Sequence, residues 1–144
     1  MIIVDTNVIS ELMRPDPSPH VTHWVRAHSA ELRLTSISLA EIRYGVRRLP
    51  PGRRRDQLAT AADEIFAAFT AEILAFDAQA ASVYPRIVCG REQAGVPIDG
   101  FDAQIAAICR SRAATLATRN VKDFKDTGVG VIDPWRESGA SARP

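Results

Sequence analysis

An α/β domain with a central, mainly parallel β-sheet between helical layers is predicted by three observations. Short β-branched or apolar runs recur at residues 2–4, 32–35, 73–76, 115–118 and 129–132. Segments with helical periodicity separate nearly all of them, and such alternation builds parallel sheets through crossover connections. The chain has 144 residues, 46% of them hydrophobic, which suits one domain around one core.

Taken in order, Ile2-Ile3-Val4 has the unbroken β-branched character of a buried parallel strand. A short helix over 8–13 is stopped by Pro15, Pro17 and Pro19. A second, over 20–28, sets Val21, Trp24 and Val25 on one face. After the strand at 32–35, Ser38 is placed as the N-cap of the next helix, with Glu41 three residues on completing a capping box. Pro50-Pro51-Gly52 breaks that helix, and an Ala-rich helix follows over 54–69. Asp77 caps the helix after strand 73–76, and Gly95 and Pro97 punctuate the loop that ends it. Asp102 begins a helix whose apolar side is Ile105, Ala106, Ile108 and Cys109. A turn at 121–124 separates the last two strands. The domain is drawn over residues 1–135, with 136–144 as a small polar tail expected to fray.

Bulk properties exclude several classes. Net charge is +1, so affinity for nucleic acid must come from local patches. Cys89 and Cys109 make no disulfide framework and are expected to pack as small apolar residues in a reducing cytoplasm. The apolar start ends at Asp5, unlike a signal peptide, and no stretch approaches the roughly 20 apolar residues of a membrane helix.

Ligands of open parallel sheets bind beyond the carboxyl ends of the strands. Asp5 ends the first strand, Glu41 and Asp102 lie near helix starts, and Asn120 follows the strand at 115–118. Carboxylates that meet must either protonate or share a cation. An all-oxygen set suits Mg²⁺ or Mn²⁺ rather than zinc, and a metal-bound water can attack phosphorus. Each residue also has a structural reading: Asp5 as a helix cap, Glu41 as the capping-box glutamate, Asp102 as an acid favoured by the helix dipole. An aspartate closing a buried strand has the fewest structural reasons to be there.

These motifs resemble the PIN-domain family, and within it the FitB-like branch of VapC toxins. The resemblance is carried by Ile2-Ile3-Val4-Asp5-Thr6-Asn7-Val8-Ile9-Ser10-Glu11-Leu12, Ser38-Leu39-Ala40-Glu41-Ile42-Arg43-Tyr44-Gly45, Phe101-Asp102-Ala103-Gln104-Ile105-Ala106-Ala107 and Leu116-Ala117-Thr118-Arg119-Asn120-Val121-Lys122-Asp123-Phe124. Val131-Ile132-Asp133-Pro134-Trp135 is similar to the last strand of that branch. The resemblance spans nearly the whole chain. It implies a three-layer α/β/α fold and a Mg²⁺-dependent endoribonuclease, Mn²⁺ being a possible substitute. It also implies the toxin half of a toxin–antitoxin pair. A homodimer, a small antitoxin inserting near the site, and promoter DNA met only through the antitoxin follow from it as expectations. Residue by residue, Asp5, Glu41 and Asp102 match the acidic triad, Thr6 the supporting hydroxyl, and Thr118 a polar neighbour. Many members carry a fourth acid where this chain has Asn120, which puts a tightly held second metal in doubt. Asp99 and Asp123 lie nearby in sequence as compensating acids, although Asp123 also fits a turn.

Arg43, Arg47, Arg48, Arg53, Arg54 and Arg55 form a basic cluster that suits RNA phosphates, an acidic stretch of antitoxin, or simply a solvated helix end. His20, His23 and His28 lack the fourth ligand a structural zinc wants. Trp24, Phe66 and Phe69 read as core or dimer contacts. A phosphatase using Asp5 as nucleophile is disfavoured by Asn7, where that chemistry usually has a second aspartate. The remaining alternative is a catalytically weak or inactive PIN-domain protein that acts by binding its partner.

Overall fold

The structure, a computed structural model, describes residues 1–69 and 73–137. Four strands, β1 (Ile2–Val4), β2 (Leu32–Arg33), β3 (Thr115–Ala117) and β4 (Val131–Ile132), form one all-parallel sheet in the order β2-β1-β3-β4. Six helices surround it: α1 (Thr6–Leu12), α2 (Pro19–Ala27), α3 (Ser36–Arg47), α4 (Arg53–Ala68), α5 (Ala78–Gln93) and α6 (Gly100–Ser111). A 3-10 turn covers Val121–Phe124.

Side-chain alternation along the strands sorts the core into two layers. Ile2 and Val4 join Leu32, Leu34 and Ala117 against Val8, Ile9, Val21, Trp24, Ile42, Ala62 and Phe66, the layer of α1 to α4. Ile3 and Leu116 face the other way, onto Ile87 of α5, residues 105–109 of α6 and Phe124. This is the three-layer arrangement expected.

Three local expectations need correction. Strand 73–76 is reduced to one parallel bridge, Thr35 to Leu74, made by Leu74 N–H to Leu34 C=O and Ser36 N–H to Leu74 C=O, each 2.9 Å. The ladder stops there because Thr35 is already the N-cap of α3. Ser38 is therefore not the cap: its N–H donates to Thr35 Oγ1 at 3.1 Å, and Ser38 is a buried first-turn residue. That removes the capping-box reading of Glu41. Cys109 is buried as expected, but Cys89 is exposed on α5, whose buried face is Ala80, Ile87 and Arg91. The expected tail lies, from residue 138 on, outside the described residues. Among the described residues no helix is long and apolar enough to cross a membrane.

Candidate metal and nucleic-acid site

The carboxyl ends of β1, β2 and β3 deliver Asp5, Thr35 and Thr118 to one edge of the sheet, and all three are buried. Asp5 caps α1, its Oδ1 accepting from Thr6 N–H at 2.8 Å. The cap reading is thus correct and leaves Oδ2 free for a second task. Oδ2 accepts from Thr118 Oγ1 at 2.7 Å and Asn7 Nδ2 at 3.4 Å. Thr118 Oγ1 in turn accepts from Asn7 Nδ2 and Asn120 N–H, both at 3.1 Å. The hydroxyl's proton is thereby committed to Asp5, which fixes the carboxylate's orientation.

Glu41 reaches the same edge from α3. Thr6 Oγ1 donates to Glu41 Oε1 at 2.7 Å, so the 2.9 Å contact between Thr6 and Ser38 hydroxyls has Ser38 as donor. Asp102 projects from the first turn of α6. Asp99 is the N-cap of that helix, its Oδ2 accepting from Phe101 and Asp102 N–H groups.

Asp5, Thr6, Glu41, Asp102 and Asn120 line one pocket of about 510 Å³, together with Glu11, Arg14, Arg119 and Trp135. All three sequence-predicted acids therefore line the same pocket. Their charges conflict. Burial raises the Asp102 carboxyl to about 7, helped by repulsion from Asp5, Asp99, Asp123 and Glu41. Asp5 is raised by burial, with Thr118 and the Thr6 N–H opposing and Asp123 adding to it. Glu41 is raised by burial against the Thr6 hydroxyl, with Asp5 and Asp99 contributing. Asp99 and Asp123 thus act on the pocket by field, though neither lines it. Among the described residues, no three acids, histidines or cysteines stand close enough to ligate one ion as they are placed. The donor chemistry nonetheless fits a hard cation: carboxylate and amide oxygens, surplus negative charge, and neither sulfur nor imidazole in the lining.

Several supporting residues escaped the sequence reading. Asn7 bridges Asp5 and Thr118, and Ser38 steers Thr6. Glu11 is buried, its carboxyl lowered mainly by the Ser18 N–H at 2.9 Å and then by Arg14. Buried Arg91 donates to the carbonyls of Val96, Asp123 and Lys125, tying the loop before Asp99 to the turn after Asn120. The short spacing Asp5-Thr6-Asn7 hinted at the first; the others depend on distant partners. The basic cluster lies outside the acidic pocket. Arg43 pairs with Asp63 at 2.6 Å, Arg48 lies over Tyr44, and Arg54 lines an adjoining groove. His28 Nδ1 sits 2.9 Å from the Trp24 carbonyl, its ring stacked on Trp24, and His20 contacts the Glu137 carbonyl.

A three-layer parallel fold with an acidic pocket at the strands' carboxyl edge is the architecture of a PIN domain, and the PIN-domain family model matches residues 2–130. The chain belongs to the PIN-domain family. It is 35% identical to Toxin FitB of Neisseria gonorrhoeae, covering 95% of this chain and 100% of that one. It is 34% identical to VapC ribonuclease Y4jK of Sinorhizobium fredii, over 94% and 98%. The solved structure of FitAB bound to an IR36 DNA fragment superposes with a TM-score of 0.87 at 34% identity, over 96% of this chain and 98% of that one.

Proposed function

We propose that this chain is the toxin of a toxin–antitoxin pair, an endoribonuclease that hydrolyses RNA phosphodiester bonds between Asp5, Glu41 and Asp102. The observation that carries the reading is the placement of three carboxylates around one pocket, where burial and then repulsion by neighbouring acids hold Asp102 near 7. Ribonucleases of this family work with a divalent metal; for this chain Mg²⁺ is the choice, with Mn²⁺ as substitute. A bound ion would supply an attacking water of lowered pKa and neutralise charge on the phosphate. Asp5, Glu41 and Asp102 would hold it. Thr118 and Asn7 keep Asp5 in one orientation, and Thr6 does the same for Glu41. Asn120 brings an amide oxygen but no charge, which favours one well-held ion over two. Asp99 and Asp123 deepen the negative potential.

An apolar groove of about 840 Å³ opens beside Thr6 and Glu41, lined by Leu12, Met13, Ile42, Val46, Leu49 and Leu58. It suits the apolar face of a cognate antitoxin segment, with Arg14 and Arg54 at its rim. Promoter DNA is met through that antitoxin, the toxin is a homodimer, and it works in the cytoplasm.

The test is incubation of purified protein with total RNA in Mg²⁺, Mn²⁺ and EDTA, beside Asp5→Asn. Cleavage is expected with either metal and lost in EDTA. Asp5→Asn is expected to lose it by a factor on the order of 100 or more while remaining folded. Full Mg²⁺-dependent cleavage by folded Asp5→Asn would remove the triad; no cleavage by the parent under any condition would favour the partner-binding alternative.

A further inference from the structure

The acidic pocket has a wall of opposite sign. Two guanidiniums line it, and they differ. Arg14 is spent on Glu11, with Nη1 at 3.2 and 3.1 Å from the two carboxylate oxygens. Arg119 is exposed and, among the described residues, its guanidinium makes no ion pair or hydrogen bond; its central carbon stands 4.9 Å from the Trp135 ring centroid.

Both residues of this stack are anchored through their backbones. Trp135 is half-buried against the α1–α4 core, and its backbone N–H donates to Asp133 Oδ1 at 2.9 Å just beyond β4. The backbone N–H of Arg119 donates to Asn7 Oδ1 at 3.3 Å, and the same Asn7 bonds Asp5. The Arg119 backbone is therefore tied to the carboxylate floor through one residue. A guanidinium placed over an aromatic face can keep N–H groups open to solvent, an arrangement suited to a phosphate fork. Arg119 shares the pocket with Asp5, Glu11, Glu41 and Asp102, and it contributes to lowering the Glu11 carboxyl, behind the Ser18 N–H and Arg14. An RNA strand entering a pocket of carboxylates needs a partner for phosphates that a cation on the floor does not reach.

We propose that Arg119, laid on Trp135, grips an RNA phosphate flanking the one that is cut, Trp135 being the platform that positions it. This rests on the ribonuclease reading above. Such a contact sets affinity and register, not base choice.

The test uses the full chain and a fluorescent single-stranded RNA oligonucleotide in EDTA, where that reading forbids cleavage, with binding followed by anisotropy as salt is raised. Arg119→Met keeps the apolar stem on Trp135 and removes the charge. It is expected to weaken binding about tenfold and flatten the slope of log K against log salt by about 0.7, one single-strand phosphate contact. Arg119→Lys is expected to keep the slope. Trp135→Leu should weaken binding with the slope unchanged, and Trp135→Phe should restore it; melting curves confirm that each is folded. In Mg²⁺, Arg119→Met is expected to raise KM and leave kcat unchanged. Parent-like affinity and slope in Arg119→Met, with the parent still cleaving RNA, would overturn the inference and leave the ribonuclease reading intact. Loss of antitoxin binding with RNA binding untouched would overturn it equally. A parent that neither binds nor cleaves RNA would remove the ribonuclease reading itself.

Discussion

Helix α6 sinks Ala103 and the unbroken run 105–109 into the core, while α4, with 16 residues against 12, buries only Ala62 and Phe66. The sequences explain the contrast. Residues 105–109 are apolar or small without interruption, so that α6 packs against both the sheet and α5. Helix α4 begins Arg-Arg-Arg-Asp and, although Ala-rich, buries only Ala62 and Phe66. The buried helix carries Asp102, a charge that must hold its place among four repelling neighbours. The exposed one forms a wall of the groove beside the site. Rigidity is thus concentrated where a carboxylate has to stay unpaired, and surface is left available where a partner segment would lie.

Three substitutions probe that division, the largest effect first. Ile108→Ala leaves a cavity in the fully buried layer and is expected to cost about 3 kcal/mol, read as a melting point lower by roughly 10 °C. A cost under about 1 kcal/mol would mean that α6 relaxes and is no rigid mount. Asp102→Asn should abolish cleavage yet stabilise the metal-free protein near neutrality. The sign follows from a folded carboxyl near 7 against 3.8 unfolded. Stability from this group is complete below about pH 4 and is lost as pH rises to 7, because the unfolded chain releases the proton first. In EDTA, the melting-point difference between variant and parent should therefore grow from pH 4.5 to 7 and level off above; a pH-independent difference would break the argument. Smallest is Asp63→Ala on α4, which removes the exposed 2.6 Å pair with Arg43. Its cost should lie between about 0 and 1 kcal/mol in denaturant titration. A larger loss would show α4 to be held by its charges.

The sheet, its helical layers and Asp5 were legible because each is written locally, as β-branched runs, helical stripes and an aspartate ending a strand; Glu41 and Asp102 were legible only through the ordered family motifs. What the sequence obscured was choice among neighbours. Ser38 with Glu41 is a good capping box in isolation, but Thr35 takes the cap and Ser38 turns inward to Thr6. Residues 73–76 have strand character, yet the adjoining strand is already bending into α3, so one bridge forms. Asn7, Glu11 and Arg91 gain meaning only from partners that the fold supplies, and Arg119 only from Trp135. Glu41 was singled out by the PIN motifs, where its local pattern suggested a helix cap, and the structure places it in the lining of the acidic pocket.

The bond from Thr118 to Asp5 joins residues 113 apart in the chain. The central strand β1 likewise pairs with β3 at 115–117. A ribosome releases the two halves of this contact at opposite ends of synthesis, and pairings so distant in sequence form late. While translation is under way, Asp5 has neither its neighbouring strand nor the hydroxyl that orients it. The carboxyl edge of the sheet, and the pocket built on it, is accordingly incomplete until the last third of the polypeptide has arrived.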